Sequence, residues 1–509
     1  MTTASATPPV VADKGLRRGA IGMAGSIVLG VVQTAPAYSV AVTLAFLVGV
    51  VDVHAPALLL AGFVPIFCMT LVEREFVARE PDCGTVFVWV GRSLGPHAGW
   101  ICSWTLLAAT FISLANLANI AGTYFFLVFD WQTAASTEWA TIAVGLAWLG
   151  IATWLGVRGI ELSSRVQGTL LSLGLIVLAV FAVVALVKVA AGSAGDQAIN
   201  PSLGWLNPFS VGSSSAFFSG MLLAIFFYWG WDGPAAVAEE TTGGTATPKR
   251  ALVYSAVALL GFYVVVVLAL QSYAGIGTKG IGLGSDAVAG DVLSPIGAAA
   301  IGSWFGTAME FVVMLSAGGA LIAALLPTAR SLLSMAAYRA VPGVFAKVDE
   351  KNGSPVAATV GVALAIAAVL VVLSIVSNNV LGDSIGAIVL LIAFYYTLLG
   401  LAALWAFRGE ITRSLGDFLT KFLAPLVGTL ILGWALVRNG KDTVADDYGL
   451  TTLFGVGGVF VIGAATILIG VVLMVLWNLR APGFFRGETF TPHYLEEHQP
   501  DLVQHVRGL

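Results

Sequence analysis

Charge is scarce along this 509-residue chain. Asp, Glu, Lys and Arg make up 10% of it, against 58% for the hydrophobic types. Soluble globular chains do not take that composition. With a mean hydropathy of +0.93, the chain reads as a polytopic membrane protein in contact with lipid. Cysteine is rarer still: Cys68, Cys83 and Cys102 are the whole set. An odd number without metal-ligand spacing argues against a disulfide framework and a cysteine metal site, so these read as packing residues. The five histidines, His54, His97, His493, His498 and His505, fall in loops or tails. There is no H-E-x-x-H, no phosphate-binding loop and no Cys cluster. The expectation is therefore no enzyme, no metal, no cofactor and no nucleic-acid partner. Residues Met1 to Lys14 lack a basic region ahead of an apolar core, so a cytosolic tail is expected rather than a signal peptide.

What is abundant is long apolar runs. Twelve are long enough to cross a hydrocarbon layer of about 30 Å: 17–48, 55–72, 98–129, 139–157, 164–189, 213–240, 252–275, 297–328, 356–376, 384–408, 417–438 and 451–480. The stretch 84–95 is too short to cross and suits a re-entrant or interfacial turn. With the amino terminus inside, 20 of the 24 Lys and Arg residues fall on the inner side, as the positive-inside rule requires. This predicts a plasma (inner) membrane protein with both termini cytoplasmic. Residues 1–16 and 481–509 would be cytosolic tails.

Two of these runs are interrupted. The run around Phe226 to Pro234 carries Gly230, Gly233 and Pro234 near its middle, with Asp232 among them. Asp232 stands about 14 Å before Thr241 at helical rise, roughly half of the layer. A carboxylate at that depth costs about 3 kcal/mol even on the lenient insertion scale. The first run, Ala20 to Val51, is too long for one straight span and holds Gly30 and Pro36 at its midpoint. If spans 1–5 and 6–10 are two units, an odd number of spans makes the second inverted, and the breaks occupy matching places. Such a matched pair points to a secondary-transporter site. Each break offers free N–H groups from one half-helix and free carbonyls from the other. A cavity offering both suits an α-amino acid.

Several motifs resemble the amino acid–polyamine–organocation superfamily of permeases. They are Pro81-Asp82-Cys83-Gly84-Thr85-Val86-Phe87 with Leu94-Gly95-Pro96, then Gly156-Val157-Arg158 to Gln167, and Phe227 to Asp232. They continue with Glu239-Glu240, Pro248 to Ala251, Thr328 to Pro342, and Ser354-Pro355. Their order covers nearly all of residues 16–480. The resemblance implies an all-α fold of 12 transmembrane helices. Its units would be a five-helix repeat at 17–189, an inverted five-helix repeat at 213–408 and two accessory helices at 417–480. It also implies alternating-access transport of amino acids or amines. On this resemblance Gln33, Thr34 and Ala35 hold a substrate carboxylate, and Tyr228, Trp229 and Gly230 hold the amino group and gate the site. Phe227 belongs to the same break, and Asp232 senses a proton or an amine. The first break lacks the family's usual G-[SA]-G. Residues 168–174 lack the lysine that replaces sodium in some members.

Other residues carry two readings each. Asn116 and Asn119 share a helix face and either line the cavity or bridge to neighbours. Tyr124 is an interface anchor or a cavity aromatic. Glu310 either carries protons through an outer vestibule or is hydrated near the surface. Ser316, with Gly318 and Gly319, ligates sodium or allows tight packing. Tyr395 and Tyr396 form a gate or core aromatics. Glu239 and Glu240 are expected to end span 6, paired with Arg158 or Arg250. The expected function is proton-coupled amino acid uptake. The alternatives are a polyamine or organic-amine carrier, an amino acid exchanger, or a sodium-coupled symporter.

Overall fold

The computed structural model describes residues 14–376, 378–498 and 503–504. Most of the expected amino-terminal tail, and His505, lie outside the described residues. The long first run divides as α1 (Met23–Gln33) and α2 (Pro36–Val51), and α3 (Ala55–Arg79) returns across the same layer. A short buried helix, α4 (Val86–Leu94), leads into α5 (Pro96–Val128). After the one-turn α6 (Gln132–Ala135) come α7 (Glu138–Arg158) and α8 (Ile160–Ala190). The second broken run is α9 (Ser214–Tyr228) and α10 (Gly233–Ala236), followed by α11 (Ala246–Ala274). Next come α12 (Leu293–Ile301), α13 (Ser303–Ala337), α14 (Val356–Val376) and α15 (Asn378–Ala406). The chain closes with α16 (Leu415–Phe418), α17 (Ala424–Asp442), α18 (Gly458–Arg480), α19 (Pro482–Phe485) and α20 (Pro492–His498). Strands are minor. β1 (Val348–Asp349) pairs in parallel with β4 (Val503–Gln504), and β2 (Thr452–Leu453) with β3 (Val456–Gly457) forms a hairpin.

Among the described residues, ten helical segments are long and apolar enough to cross a membrane; the first, Met23–Arg79, contains α1 to α3, and α9 is apolar but shorter. Lipid supplies no hydrophobic drive between helices, so close packing holds them together. Glycine permits that closeness where α5 meets α7. A Cβ on Gly122 would stand 2.1 Å from the Thr141 carbonyl oxygen, and one on Gly145 would stand 2.5 Å from that of Ala118. Gly318 of α13 likewise lies under the Trp148 ring. The central helix α13 is buried along most of its length. By contrast α8 turns Ile176, Val180, Val183 and Val187 outward, as a lipid-facing helix should.

Three expectations change. The predicted span 297–328 is two helices, because Gly302 at φ +141° breaks the run between α12 and α13. Thr328 to Pro342, which by resemblance belongs to a helix after span 8, begins instead as a continuation of α13 past Pro327 to Ala337. There the Thr328 hydroxyl and the Arg330 guanidinium donate back to the Ala324 and Leu326 carbonyls. The polar tail after residue 480 is not all solvated. Phe484, Phe485, Phe490 and Leu495 are buried against Phe87 and Tyr338.

Candidate functional site

Both interrupted runs lose helical geometry at the residues the sequence singles out. In the first, Ala35 takes a left-handed backbone (φ +47°) and Pro36 opens α2. A non-glycine residue there is strained. The Thr34 hydroxyl donates to the Val31 carbonyl, and the Ser39 hydroxyl donates to the Thr34 carbonyl. The first free N–H groups of α2, on Ala37 and Tyr38, are aimed at Ser316 Oγ of α13, at 3.2 and 3.4 Å. In the second run α9 ends at Tyr228, Trp229 is extended and Gly230 has φ +109°.

The two breaks touch. A Cβ on Gly230 would meet the Gln33 backbone and side chain at 3.1 Å, and one on Gly233 would meet Gln33 Oε1 at 2.4 Å. Tyr263 of α11 ties them together, since its hydroxyl lies 2.6 Å from the Phe227 carbonyl and 3.3 Å from Thr34 Oγ1. Gly230→Ala is therefore expected to destabilise the break by about 1–2 kcal/mol, the cost of a left-handed L-residue, and to lower uptake. Unchanged uptake together with unchanged thermal unfolding would contradict that.

Two cavities flank the contact. The upper one, about 520 Å³, is lined by Gln33, Thr34, Ala35, Trp229, Gly230 and Asp232, with Leu106, Leu114, Leu117 and Phe226 as its apolar wall. The lower one, about 420 Å³, shares Gln33 and Asp232 and adds Glu73, Thr85, Thr328 and Ser331. Asp232 is half-buried and accepts a 3.5 Å hydrogen bond from the Tyr396 hydroxyl. Trp229 Nε1–H donates to the Tyr395 hydroxyl at 2.6 Å. Gln33 Oε1 is buried with no hydrogen-bond partner among the described residues.

The remaining candidates lie elsewhere. The Phe227 and Tyr228 side chains are fully buried, and the Tyr228 hydroxyl donates to the Leu59 carbonyl. Asn116 donates to Ile112 and to Ser384, and Asn119 accepts from Thr141, so both join helices. Glu310 is half-buried beside Asp291 and Asp130. Ser316 lines a third, mainly apolar cavity with Val32, Leu170 and Gly174. Tyr124 is buried rather than anchored at an interface. Sequence reasoning missed Glu73 and Tyr263. Glu73 sits in Val72-Glu73-Arg74-Glu75, which looks like a solvated helix end. The available signal was periodicity, because Ile66, Met69, Thr70, Phe76 and Val77 share its buried face.

Below the cavities, a strap of charges joins the chain's start to the second broken run. Lys14 is buried and pairs with Asp82 and Glu239, each at 2.8 Å. Asp82 also accepts from the Ser334 and Tyr338 hydroxyls. Arg330 holds Glu240 through two bonds of 2.5 and 2.9 Å. The backbones of Ile21 and Thr241 bridge beside it. These partners replace the expected Arg158 and Arg250. Asp82, Cys83 and Glu239 have metal-ligand proximity, but the Lys14 ammonium stands among them. Burial opposes the Lys14 charge, yet the acidic groups around it raise its pKa well above the ordinary value. Burial pushes Asp82 up, and the Lys14 charge with the Gly84 N–H brings it below the usual carboxylate range. Asp82 thus stabilises the strap above the ordinary carboxylate pKa of about 4, and loses that contribution as pH falls through its lowered value. Lys14 contributes fully below about 10.5 and less only above its raised value. The Lys14–Asp82 pair should therefore be indifferent to pH near neutrality.

A family profile described as amino acid permease matches residues 19–477. The branched-chain amino acid permease BcaP of Lactococcus lactis is 26% identical over 60% of this chain and 64% of its own length. The matched stretch thus spans less than two thirds of that relative. An uncharacterized transporter of Mycobacterium tuberculosis is 25% identical over 73% of this chain and 76% of its own. Among solved structures, MhsT in complex with L-phenylalanine aligns with a TM-score of 0.57 at 14% identity, over 81% of this chain and 98% of its own. That likeness establishes a shared fold.

Proposed function

Because the chain belongs to the amino acid permease family, we propose that it is a secondary active transporter taking up amino acids together with protons. The working unit is twelve spans, with α1–α2 and α9–α10 as the two broken ones. Two inverted sets of five carry the site, and α17 and α18 are accessory. Both termini face the cytoplasm of a plasma membrane, a reading supported by the inner-side excess of Lys and Arg. Transport follows alternating access, with the strap at Lys14 and Arg330 as the cytosolic closure.

The observation that carries this reading is Asp232 facing a cavity between two opposed helix breaks. A carboxylate at that depth is expensive unless it exchanges a proton or meets an ammonium. The substrate ammonium lies toward Asp232 and the broken-helix carbonyls. With the first N–H groups of α2 directed at Ser316, the Gln33 side-chain amide is a donor placed for the carboxylate. Leu106, Leu114, Leu117 and Phe226 favour a neutral, apolar side chain. BcaP's name, a branched-chain permease, points the same way. Sodium coupling fits less well. The cavity at Ser316 is walled by Val32, Leu170, Leu171 and Leu178, and the Ser316 oxygen faces two N–H groups, whereas sodium needs several free oxygen ligands.

The test is uptake by proteoliposomes of labelled L-leucine, L-phenylalanine and putrescine, with and without an inward proton gradient. Gradient-driven accumulation of an amino acid is expected. Accumulation of putrescine alone would establish the amine-carrier alternative instead. A thermal-shift screen against amino acids and amines narrows the substrate.

A further inference from the structure

Glu73 is absent from the upper cavity and unexplained by packing. It lies on α3, is 1% exposed, and its Oε2 is buried without a hydrogen-bond partner among the described residues. No ion pair to Glu73 occurs among the described residues. Burying an ionised carboxylate with neither donor nor cation is costly, and a glutamine or leucine would fill the space without that charge. Glu73 nonetheless lines the lower cavity that Asp232 also lines. The remaining wall there is hydroxyl-rich, with Thr85 from the turn before α4 and Thr328 and Ser331 from α13. One turn further along α13, Ser334 donates to Asp82 of the strap. Asp232, the lower cavity, Glu73 and the cytosolic closure therefore succeed one another.

We propose that Glu73 is a second station for the coupled proton, receiving it from Asp232 and releasing it toward the cytosol. This rests on the proton-coupled reading above. In the first step the O–H bond at Asp232 breaks and one forms at Glu73, with water in the lower cavity carrying the proton. In the second step the Glu73 O–H bond breaks and cytosolic water takes the proton. Nothing is oxidised or reduced.

The groups facing Glu73 are consistent with this role. Asp232 acts on it from the second break, and the phenols of Tyr395 and Tyr396 on α15 are its other electrostatic neighbours. The cavity it lines is also walled by Leu106, Leu107 and Thr110 from α5 and by Thr328 and Ser331 from α13, none of which titrates. On α11, Tyr263 is held by the breaks. On its own helix, Arg74 pairs with Glu75 and Arg79 donates to the Ala406 carbonyl. Lys421, in the segment between α16 and α17, is engaged by Glu75, Glu410 and Asp417.

The experiment separates driving force from passage. Full-length protein in liposomes is given labelled L-leucine, L-phenylalanine and putrescine in turn. Accumulation under a proton gradient is compared with counterflow exchange at equal pH. A gradient of about one pH unit supports about tenfold accumulation for one proton per substrate. Glu73→Gln is expected to lose that accumulation while exchange persists, and Glu73→Asp is expected to restore part of it. Wild-type accumulation in Glu73→Gln would overturn the proposal and leave Asp232 as the sole station. Joint loss of accumulation and exchange, unrescued by Glu73→Asp, would assign Glu73 a structural role. A defect confined to putrescine would make it an ammonium subsite. If the wild type accumulates none of the three under the gradient, the proton-coupled reading itself fails and this proposal with it.

Discussion

Asp232→Asn should flatten the pH profile of uptake. The side chain stands where two helix breaks meet, half-buried, with the Tyr396 hydroxyl as its hydrogen-bond donor. Asparagine preserves its size and its acceptor toward Tyr396 and removes only the titrating group. In a symporter the proton contributes about 1.4 kcal/mol per unit of gradient, a factor of about ten in accumulation, and Asp232→Asn forfeits that factor. Uptake measured across pH, with and without an imposed gradient, checks the expectation. Residual uptake should persist, because Gln33, Thr34 and Trp229 still line the cavity. An unaltered pH profile in the folded variant would remove Asp232 from the coupling mechanism. The contrast with Glu73→Gln is informative. Asp232 touches both cavities and should affect substrate affinity as well, whereas Glu73 meets only the lower one.

Arg330→Met should be the most destabilising change in the strap. Both members of the Arg330–Glu240 pair are buried, at 0% and 1% side-chain exposure. Removing one partner leaves an uncompensated charge, which costs about 3–5 kcal/mol in comparable buried pairs. The loss spreads, because the Glu240 carbonyl also receives the Ile21 N–H and the Ile21 carbonyl receives the Thr242 N–H. The chain's start should come free with it. Thermal unfolding of the purified protein should fall, and cleavage by trypsin at Arg17 or Arg18 should quicken. Replacing both residues, Arg330→Met with Glu240→Met, should recover much of the stability, since a matched apolar pair has no orphaned charge. Wild-type unfolding and protease resistance in Arg330→Met would show that the strap contributes nothing to closure.

Much of the fold was legible as periodic hydrophobicity. Long apolar runs announce helices because lipid leaves no other way to satisfy a crossing backbone. The breaks were equally legible: Gly30 and Pro36 in one run, and Gly230, Gly233 and Pro234 in the other, act through local backbone geometry. Thr34, Ala35 and Gly230 lose helical structure where those residues dictate. Helix ends were harder to read. Glu73 looked like a solvated flank, since Arg74 and Glu75 stand beside it in the chain, and Arg330 fell just past the predicted span 297–328. The ranges of α3 and α13 carry both into the interior.

Side-chain partners were not legible at all. Asn116 and Asn119 share a face, but whether that face meets water or α7 and α15 depends on how the helices pack. Ser316 was read as a cation ligand or a packing residue, and it receives the α2 N–H groups from across the bundle. Lys14 finds Asp82 and Glu239 across 68 and 225 residues. Local chemistry, written into neighbouring residues, set where this chain crosses, bends and breaks. Which carboxylates face a common cavity was decided only when helices distant in sequence came into contact, because burial and pairing belong to the assembled bundle and to no segment of it.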